Sequence, residues 1–109
     1  MISHLARSSA NETDDAYGAV VAKLNTRWRV SRCRDDIQWI LQRRKGWTGA
    51  APRWTGDSYF RTREALMGVT HAKAGDCDPI AWSALLALPE RYEPADIPID
   101  NLQTEEVFE

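Results

Sequence analysis

Apolar and polar side chains alternate along the segment from Trp28 to Arg44, as expected of a β-hairpin. A turn at Asp35 and Asp36 would pair Arg34 with Ile37, Arg32 with Trp39, Val30 with Leu41 and Trp28 with Arg43. One face then carries Trp28, Val30, Ile37, Trp39 and Leu41, and the other carries Arg29, Ser31, Cys33, Gln38, Ile40, Gln42 and Arg44. We expect the first face to be buried and the second exposed. Because Asp-Asp is a poor two-residue turn, a register slip that exchanges the faces stays open.

Helical periodicity follows and precedes this hairpin. Tyr17, Val20, Val21 and Leu24 are spaced as on one helix face, which predicts a helix over residues 14–24. Thr62 as N-cap and Gly75 as terminator predict a helix over residues 62–74. Asp78 and Pro79 begin a nearly all-apolar helix over residues 79–88, which must be central to the core or covered by a partner.

The stretches between these elements complete the predicted fold. Residues 45–57 are rich in Gly, Ala and Pro and predict a loop, after which Tyr59 and Phe60 indicate a short third strand. We therefore expect one α+β domain over residues 14–92, with a small antiparallel sheet packed against two or three short helices. Residues 1–13 are expected to be a flexible N-terminus, and residues 93–109 an acidic tail that is either a flexible segment or an ordered arm.

Charge is distributed unevenly along the 109 residues, although the net charge is only −2. Residues 23–75 carry a net charge of +8, and residues 76–109 carry −8. A basic body before an acidic tail fits a polyanion-binding surface or an intramolecular pairing of the two. No signal-peptide pattern or membrane-length apolar run is present, so we expect a cytoplasmic protein.

Catalytic and metal-binding patterns do not emerge from the residues. The soft ligands are His4, Cys33, His71 and Cys77, and their spacing matches no zinc motif and no cysteine–histidine nucleophile. Asp78 is explained by capping, which leaves Asp76 without a catalytic partner. We therefore expect a binding protein without cofactor or metal, and not an enzyme.

The basic hairpin is the strongest functional signal. Candidate nucleic-acid-binding residues are Arg27, Arg29, Arg32, Gln38, Gln42, Arg43, Arg44, Lys45, Arg53 and Arg61. Arginines on a β-ribbon can neutralise phosphates, and exposed glutamines can read base edges. The competing interpretation is a solvated sheet face whose arginines form salt bridges with the acidic tail.

The segments WRVSRCRDDIQWILQRR, SYFRTREALM and DPIAWSALLALPERY resemble small accessory proteins of unknown function from alphaproteobacterial plasmids, prophages and other mobile elements. The resemblance spans residues 16–92, and those relatives carry Asp-Gly where this chain has Asp35 and Asp36. It implies no activity, only a setting in which genes often encode DNA-handling factors, regulators or antagonists of host restriction and CRISPR defence.

That setting adds a second hypothesis, in which the chain is a protein-binding inhibitor of a host defence system, of anti-CRISPR or anti-restriction type. Its partner-binding residues would be Trp82, Leu85 and Leu86 on the apolar helix, or the acidic surface. The same apolar helix could instead form a homodimer.

Overall fold

Four antiparallel strands and two helices form an α+β fold in the computed structural model, which describes residues 9–48 and 51–94. The strands are β1 (Val20–Lys23), β2 (Trp28–Arg32), β3 (Trp39–Thr48) and β4 (Ala51–Phe60), and the helices are α1 (Arg63–Ala74) and α2 (Pro79–Leu86). Strand order in the sheet is β1-β2-β3-β4, so each strand pairs with its neighbour in sequence. Both helices pack on one face of this sheet.

The predicted hairpin register is confirmed. β2 and β3 pair Arg32 with Trp39, Val30 with Leu41 and Trp28 with Arg43. The turn is longer than two residues, because the Cys33 amide donates to the Gln38 carbonyl at 3.0 Å and encloses residues 34–37. Within it Asp36 has φ 57°, a left-handed conformation that Asp tolerates better than most residues. The Asp-Asp pair is thus accommodated in a four-residue loop without a register slip.

The predicted helix over residues 14–24 is wrong. Residues 9–19 form turns, and β1 follows them as an edge strand paired with β2. Val20 and Val21 are β-branched and favour the strand, whereas Gly18 disfavours a helix. Tyr17 is buried as the periodicity suggested, but from a turn, with its hydroxyl donating to the Arg32 carbonyl at 2.8 Å.

The predicted loop over residues 45–57 is also wrong, because β3 and β4 form a long hairpin through it. Two β-bulges, with Lys45 and Asp57 as the additional residues, break its regular alternation. Gly46 lies beside the first bulge with φ 145°, a conformation that favours glycine. Pro52 is tolerated because β4 is an edge strand. The third strand predicted at Tyr59 and Phe60 is confirmed as the end of β4.

Both C-terminal helices are confirmed, and their caps explain where they begin. The Thr62 hydroxyl accepts from the Ala65 amide at 3.3 Å, and the Asp78 carboxylate accepts from the Ala81 amide at 3.0 Å. Gly75 follows α1 with φ 71°. α2 ends at Leu86, two residues earlier than predicted.

The core lies between the helices and the sheet face that carries Trp39. Its buried members are Ala22, Leu24, Val30, Trp39, Leu41, Phe60, Leu66, Ala74, Ala81 and Leu85. Val30, Trp39 and Leu41 were predicted there, but Ile37 belongs to the turn and is 47% exposed. Neither helix in the described part of the chain has the length and hydrophobicity needed to cross a membrane.

Replacing Trp39 by Ala tests this core. The side chain is 1% exposed and contacts the Tyr92 ring edge-on, with ring centres 5.0 Å apart. We expect the free energy of unfolding in urea to fall by roughly 3–5 kcal/mol, since truncation of a buried aromatic leaves a cavity. A loss below about 1 kcal/mol, the typical effect of a mild substitution, would contradict the burial of Trp39.

Candidate nucleic-acid interface

The hairpin face expected to be exposed is largely covered. Arg29, Ser31 and Ile40 are fully buried, and Gln42 is 1% exposed. The cover is the N-terminal segment, residues 9–19, which lies against this face through the contacts described next. Arg29 and Gln42 were predicted to bind nucleic acid from an exposed surface, and this part of the prediction is wrong. Period-two alternation separates two faces of a sheet, but it does not reveal a second layer over the polar one.

Arg29 holds the N-terminal segment in place with its whole guanidinium group. Its Nη2 donates to the carbonyls of Glu12 and Asp14 at 3.1 and 2.9 Å, and its Nη1 donates to the Asp15 carbonyl at 3.2 Å. Its Nε donates to Gln42 Oε1 at 2.6 Å. Gln42 Nε2 in turn donates to the Glu12 carbonyl at 2.9 Å. The buried polar groups of this network therefore satisfy one another.

An aromatic ring and two carboxylates complete the surroundings of Arg29. The guanidinium carbon lies 4.4 Å from the centre of the Trp54 ring, within cation–π range. Trp54 Nε1 donates to the Asp15 carboxylate at 3.0 Å. Burial lowers the pKa of Arg29 to about 10, while Asp15 and Asp14 oppose the shift, so the group is charged at neutral pH.

Residues 9–13 belong to the segment expected to be flexible, yet they lie beside the sheet. The Trp54 amide donates to the Thr13 carbonyl at 3.0 Å, and Arg53 Nη2 donates to the Thr13 hydroxyl at 2.9 Å. Arg53 also lies 3.6 Å from the Asp14 carboxylate. Arg53, a predicted nucleic-acid contact, is thus engaged within the fold. Residues 1–8 and 95–109, with most of the predicted tail, lie outside the described residues.

Two other candidates, Arg32 and Arg61, lie at the end of the sheet near the β2–β3 turn. Arg32 Nη1 donates to the Tyr92 hydroxyl at 3.0 Å and to the Glu93 carbonyl at 3.1 Å. Its guanidinium group is therefore bonded to other parts of the fold. Arg61 is exposed just after Phe60, which pairs with Trp39 at the start of β3. The half-buried Gln38 lies in the same turn region. The structure therefore separates these residues from the opposite, basic end of β3.

At that opposite end, exposed cations gather where β3 continues past β2. Arg43 pairs with Trp28, the first residue of β2, and the Arg44 amide still donates to the Arg27 carbonyl at 2.8 Å. From there β3 and β4 continue as a two-stranded ribbon. We call the exposed Lys23, Arg27, Arg43 and Lys45 the ribbon patch. Arg44 lies beside it and is half-buried.

Lys23 was missed by sequence reasoning, because it fell within the predicted helix. It is the last residue of β1 and pairs with Arg29, which brings it beside the start of β2. The Val20–Val21 pair was the signal for a strand here.

Two acids close to the ribbon patch, Asp57 and Asp14, are bonded to cations outside it, although Asp57 also lies within electrostatic range of Arg43. The Asp57 carboxylate accepts from Lys73 Nζ at 2.7 Å, and this hydrogen bond, with another from Ser58, lowers the pKa of Asp57. Asp14 is paired with Arg53, as described. Asp76 is exposed, and the hydrogen bond from Asn25 at 2.9 Å goes to its backbone carbonyl, so its carboxylate keeps its negative charge. Among the described residues, the base of the ribbon therefore carries a net positive charge.

The residues proposed for a protein partner divide between core and surface. Leu85 is fully buried, so its prediction as a contact residue is wrong. Trp82 is half-buried, with its ring centre 6.3 Å from that of His71. Leu86 is 56% exposed and Ile80 is 79% exposed, so α2 keeps an apolar surface towards solvent.

The chain finds no match among protein-family models, curated proteins or solved structures. The resemblance to mobile-element accessory proteins therefore stays a prediction. Cys33 and Cys77 are free thiols, and in residues 9–48 and 51–94 no three His, Cys, Asp or Glu side chains are grouped to hold a metal ion.

Arg29→Met tests the assignment of Arg29 to the fold. The variant would leave the carbonyls of Glu12, Asp14 and Asp15 without their donor, so we expect a loss of roughly 3 kcal/mol or more in the free energy of unfolding. The matched control is Arg34→Met, at an exposed side chain two residues beyond β2, with an expected change within about 0.5 kcal/mol. Equal, small losses in both variants would show that Arg29 does not anchor the segment.

Proposed function

We propose that the chain is a non-catalytic protein that binds nucleic acid by holding backbone phosphates at the ribbon patch. The observation that carries this proposal is the continuation of β3 and β4 past β2, with exposed cations at that end. A two-stranded β-ribbon fits the major groove of B-DNA, and lysine and arginine beside it neutralise phosphates.

The cations occupy both faces of the sheet, which suits contact with the two phosphate rows that flank a groove. Arg43 lies two residues after Leu41 in β3, so it belongs to the same face of the sheet, the one that the helices cover. Lys23 is the Cα partner of Arg29 and belongs to the opposite face. Lys45 is the additional residue of a bulge, where the strand twists. Charge on both faces of the sheet, at the base of the two-stranded ribbon, would let these cations meet the phosphates on either side of a groove that the ribbon enters.

Sequence-independent binding follows from the loss of the expected base-reading groups. Gln42 is buried beneath the N-terminal segment, and Gln38 lies near the turn at the other end of the hairpin. Phosphate contacts position a protein but carry no sequence information. We therefore expect similar affinities for unrelated duplexes of equal length.

Salt dependence gives a quantitative test. With four phosphates neutralised by the ribbon patch, the slope of log K against log salt should be about −3.6 for B-DNA. The affinity, measured by fluorescence anisotropy, should then fall roughly a hundredfold between 50 and 200 mM salt. The double variant Arg43→Gln/Lys45→Gln should reduce the slope to about half.

The control for this test is Arg34→Gln/Arg91→Gln, which removes the same charge from two exposed positions away from the ribbon patch. We expect it to keep the wild-type slope within about half a unit. Equal effects of the two double variants would mean that only net charge matters, and the ribbon would not be the binding site.

The acidic C-terminal residues are proposed to compete with nucleic acid for the ribbon patch. The described chain ends at Pro94, near Arg32 at the last position of β2, and 15 residues remain. β2 spans about 16 Å, whereas 15 residues can reach about 50 Å, so the tail is long enough to reach the patch. Its carboxylates belong to Asp96, Asp100, Glu105, Glu106 and Glu109.

Deletion of residues 95–109 changes the net charge from −2 to +3 and leaves Tyr92 and Glu93 in place. We expect tighter duplex binding at about 50 mM salt, where phosphate contacts are strong. The gain should vanish when Arg43→Gln/Lys45→Gln is combined with the deletion. If the shortened chain binds no DNA or RNA under these conditions, the nucleic-acid proposal fails.

The exposed apolar side of α2 favours a second candidate function, inhibition of a host defence protein. Ile80 and Leu86 are both more than half exposed, and Trp82 lies between them in sequence. A host defence protein that covers these residues would bind through apolar area. Such binding depends far less on salt than phosphate contacts do.

A further inference from the structure

A cavity of about 310 Å³ lies at the end of the sheet away from the ribbon patch. It is lined by Asp36, Ile37, Arg61, Arg91, Tyr92 and Pro94. These residues come from the β2–β3 turn, the end of β4 and the segment after α2. Its volume is at the lower end of the range of small-molecule sites, and it is widely open to solvent.

Arg61 and Arg91 supply its positive charge. Backbone contacts hold them together, because Thr62 and Arg91 form a β-bridge and the Tyr92 amide donates to the Arg61 carbonyl at 2.7 Å. Both side chains are exposed, and neither forms a hydrogen bond or ion pair with any residue within 9–48 and 51–94. Two guanidinium groups thus line one cavity, and neither is bonded to another side chain in the described part of the chain.

The negative groups near this cavity are partly neutralised or lie to one side. The Asp36 carboxylate accepts a hydrogen bond from the Tyr92 hydroxyl, and its Oδ1 lies 3.6 Å from Arg32 Nη1. Burial and that hydrogen bond raise the pKa of Tyr92 to about 12, so its phenol adds no charge at neutral pH. Glu64 and Glu90 line a separate cavity on which Arg91 also borders, and Glu93 is exposed to solvent.

The remaining wall is apolar. Ile37 is 47% exposed although it is a large aliphatic residue, and Pro94 lines the same cavity. Tyr92 is fixed by its edge-on contact with Trp39 and by the Arg32 guanidinium, 5.2 Å from its ring centre. A ligand in this cavity would therefore meet two cations together with the apolar side chains of Ile37 and Pro94.

We propose that this cavity binds a small phosphomonoester with an apolar or aromatic body, no larger than a mononucleotide. A phosphomonoester carries a charge of about −1.5 to −2 and three acceptor oxygens, which matches two guanidinium groups better than a single carboxylate does. The apolar body would lie against Ile37 and Pro94. This site is independent of the ribbon patch, which is at the other end of β2.

Titration of the full chain with phenyl phosphate and with inorganic phosphate, followed by NMR at constant ionic strength, tests the proposal. We expect saturable binding of phenyl phosphate, at least about tenfold tighter than that of inorganic phosphate because of the apolar wall. Arg61→Gln and Arg91→Gln should each weaken both ligands about tenfold or more. Ile37→Ser should weaken phenyl phosphate alone.

The matched controls are Arg34→Gln, an exposed arginine outside the cavity lining, and Arg43→Gln/Lys45→Gln in the ribbon patch. Neither should change phenyl phosphate binding, which separates this site from the nucleic-acid proposal. If binding does not saturate up to about 10 mM phenyl phosphate, the affinity is lower than that of most specific small-molecule sites, and the proposal is overturned. Equal weakening by Arg34→Gln and Arg61→Gln would overturn it as well.

Discussion

The burial of one positive charge determines how one side of this protein is built. An ionised group taken out of water costs several kcal/mol unless it is surrounded by acceptors. For Arg29 those acceptors are the backbone carbonyls of Glu12, Asp14 and Asp15, together with the side-chain oxygen of Gln42. The carbonyls can converge only if the N-terminal segment turns over the sheet. Consequently the charge of Arg29, the path of that segment and the burial of Gln42 depend on one another.

Position in the sheet divides the arginines by role. In the middle of β2, Arg29 is enclosed and structural, and at its end Arg32 binds Tyr92 and Glu93. Arg43, at the last pairing of β3 with β2, and Lys45, just beyond it, are exposed to solvent. Arg61 is exposed at the opposite end. A chain with a net charge of −2 can thus present two separate cationic regions.

Local signals explain which elements could be predicted. The caps at Thr62 and Asp78 act within one helical turn. The alternation from Val30 to Leu41 likewise involves residues close in sequence, so both features could be predicted from the sequence. The cover over Arg29 joins residues 14 or more positions apart, and no local pattern records it. Candidate contacts therefore failed where burial depends on distant segments, as for Gln42 and Leu85. Glycine-rich sequence usually indicates a loop, but Gly46 lies beside a bulge within β3. A strand that contains such bulges therefore resembles a loop in its composition.

The contacts of Thr13 with β4 have a consequence for association between chains. A ten-residue edge strand exposes unpaired amides and carbonyls that can template pairing with another molecule. Here the Trp54 amide is already bonded to Thr13, and Pro52 nearby has no amide to offer. At the other edge, β1 is only four residues long. The segment anchored by Arg29 therefore also blocks β4, and its release would expose a strand suited to edge-to-edge aggregation.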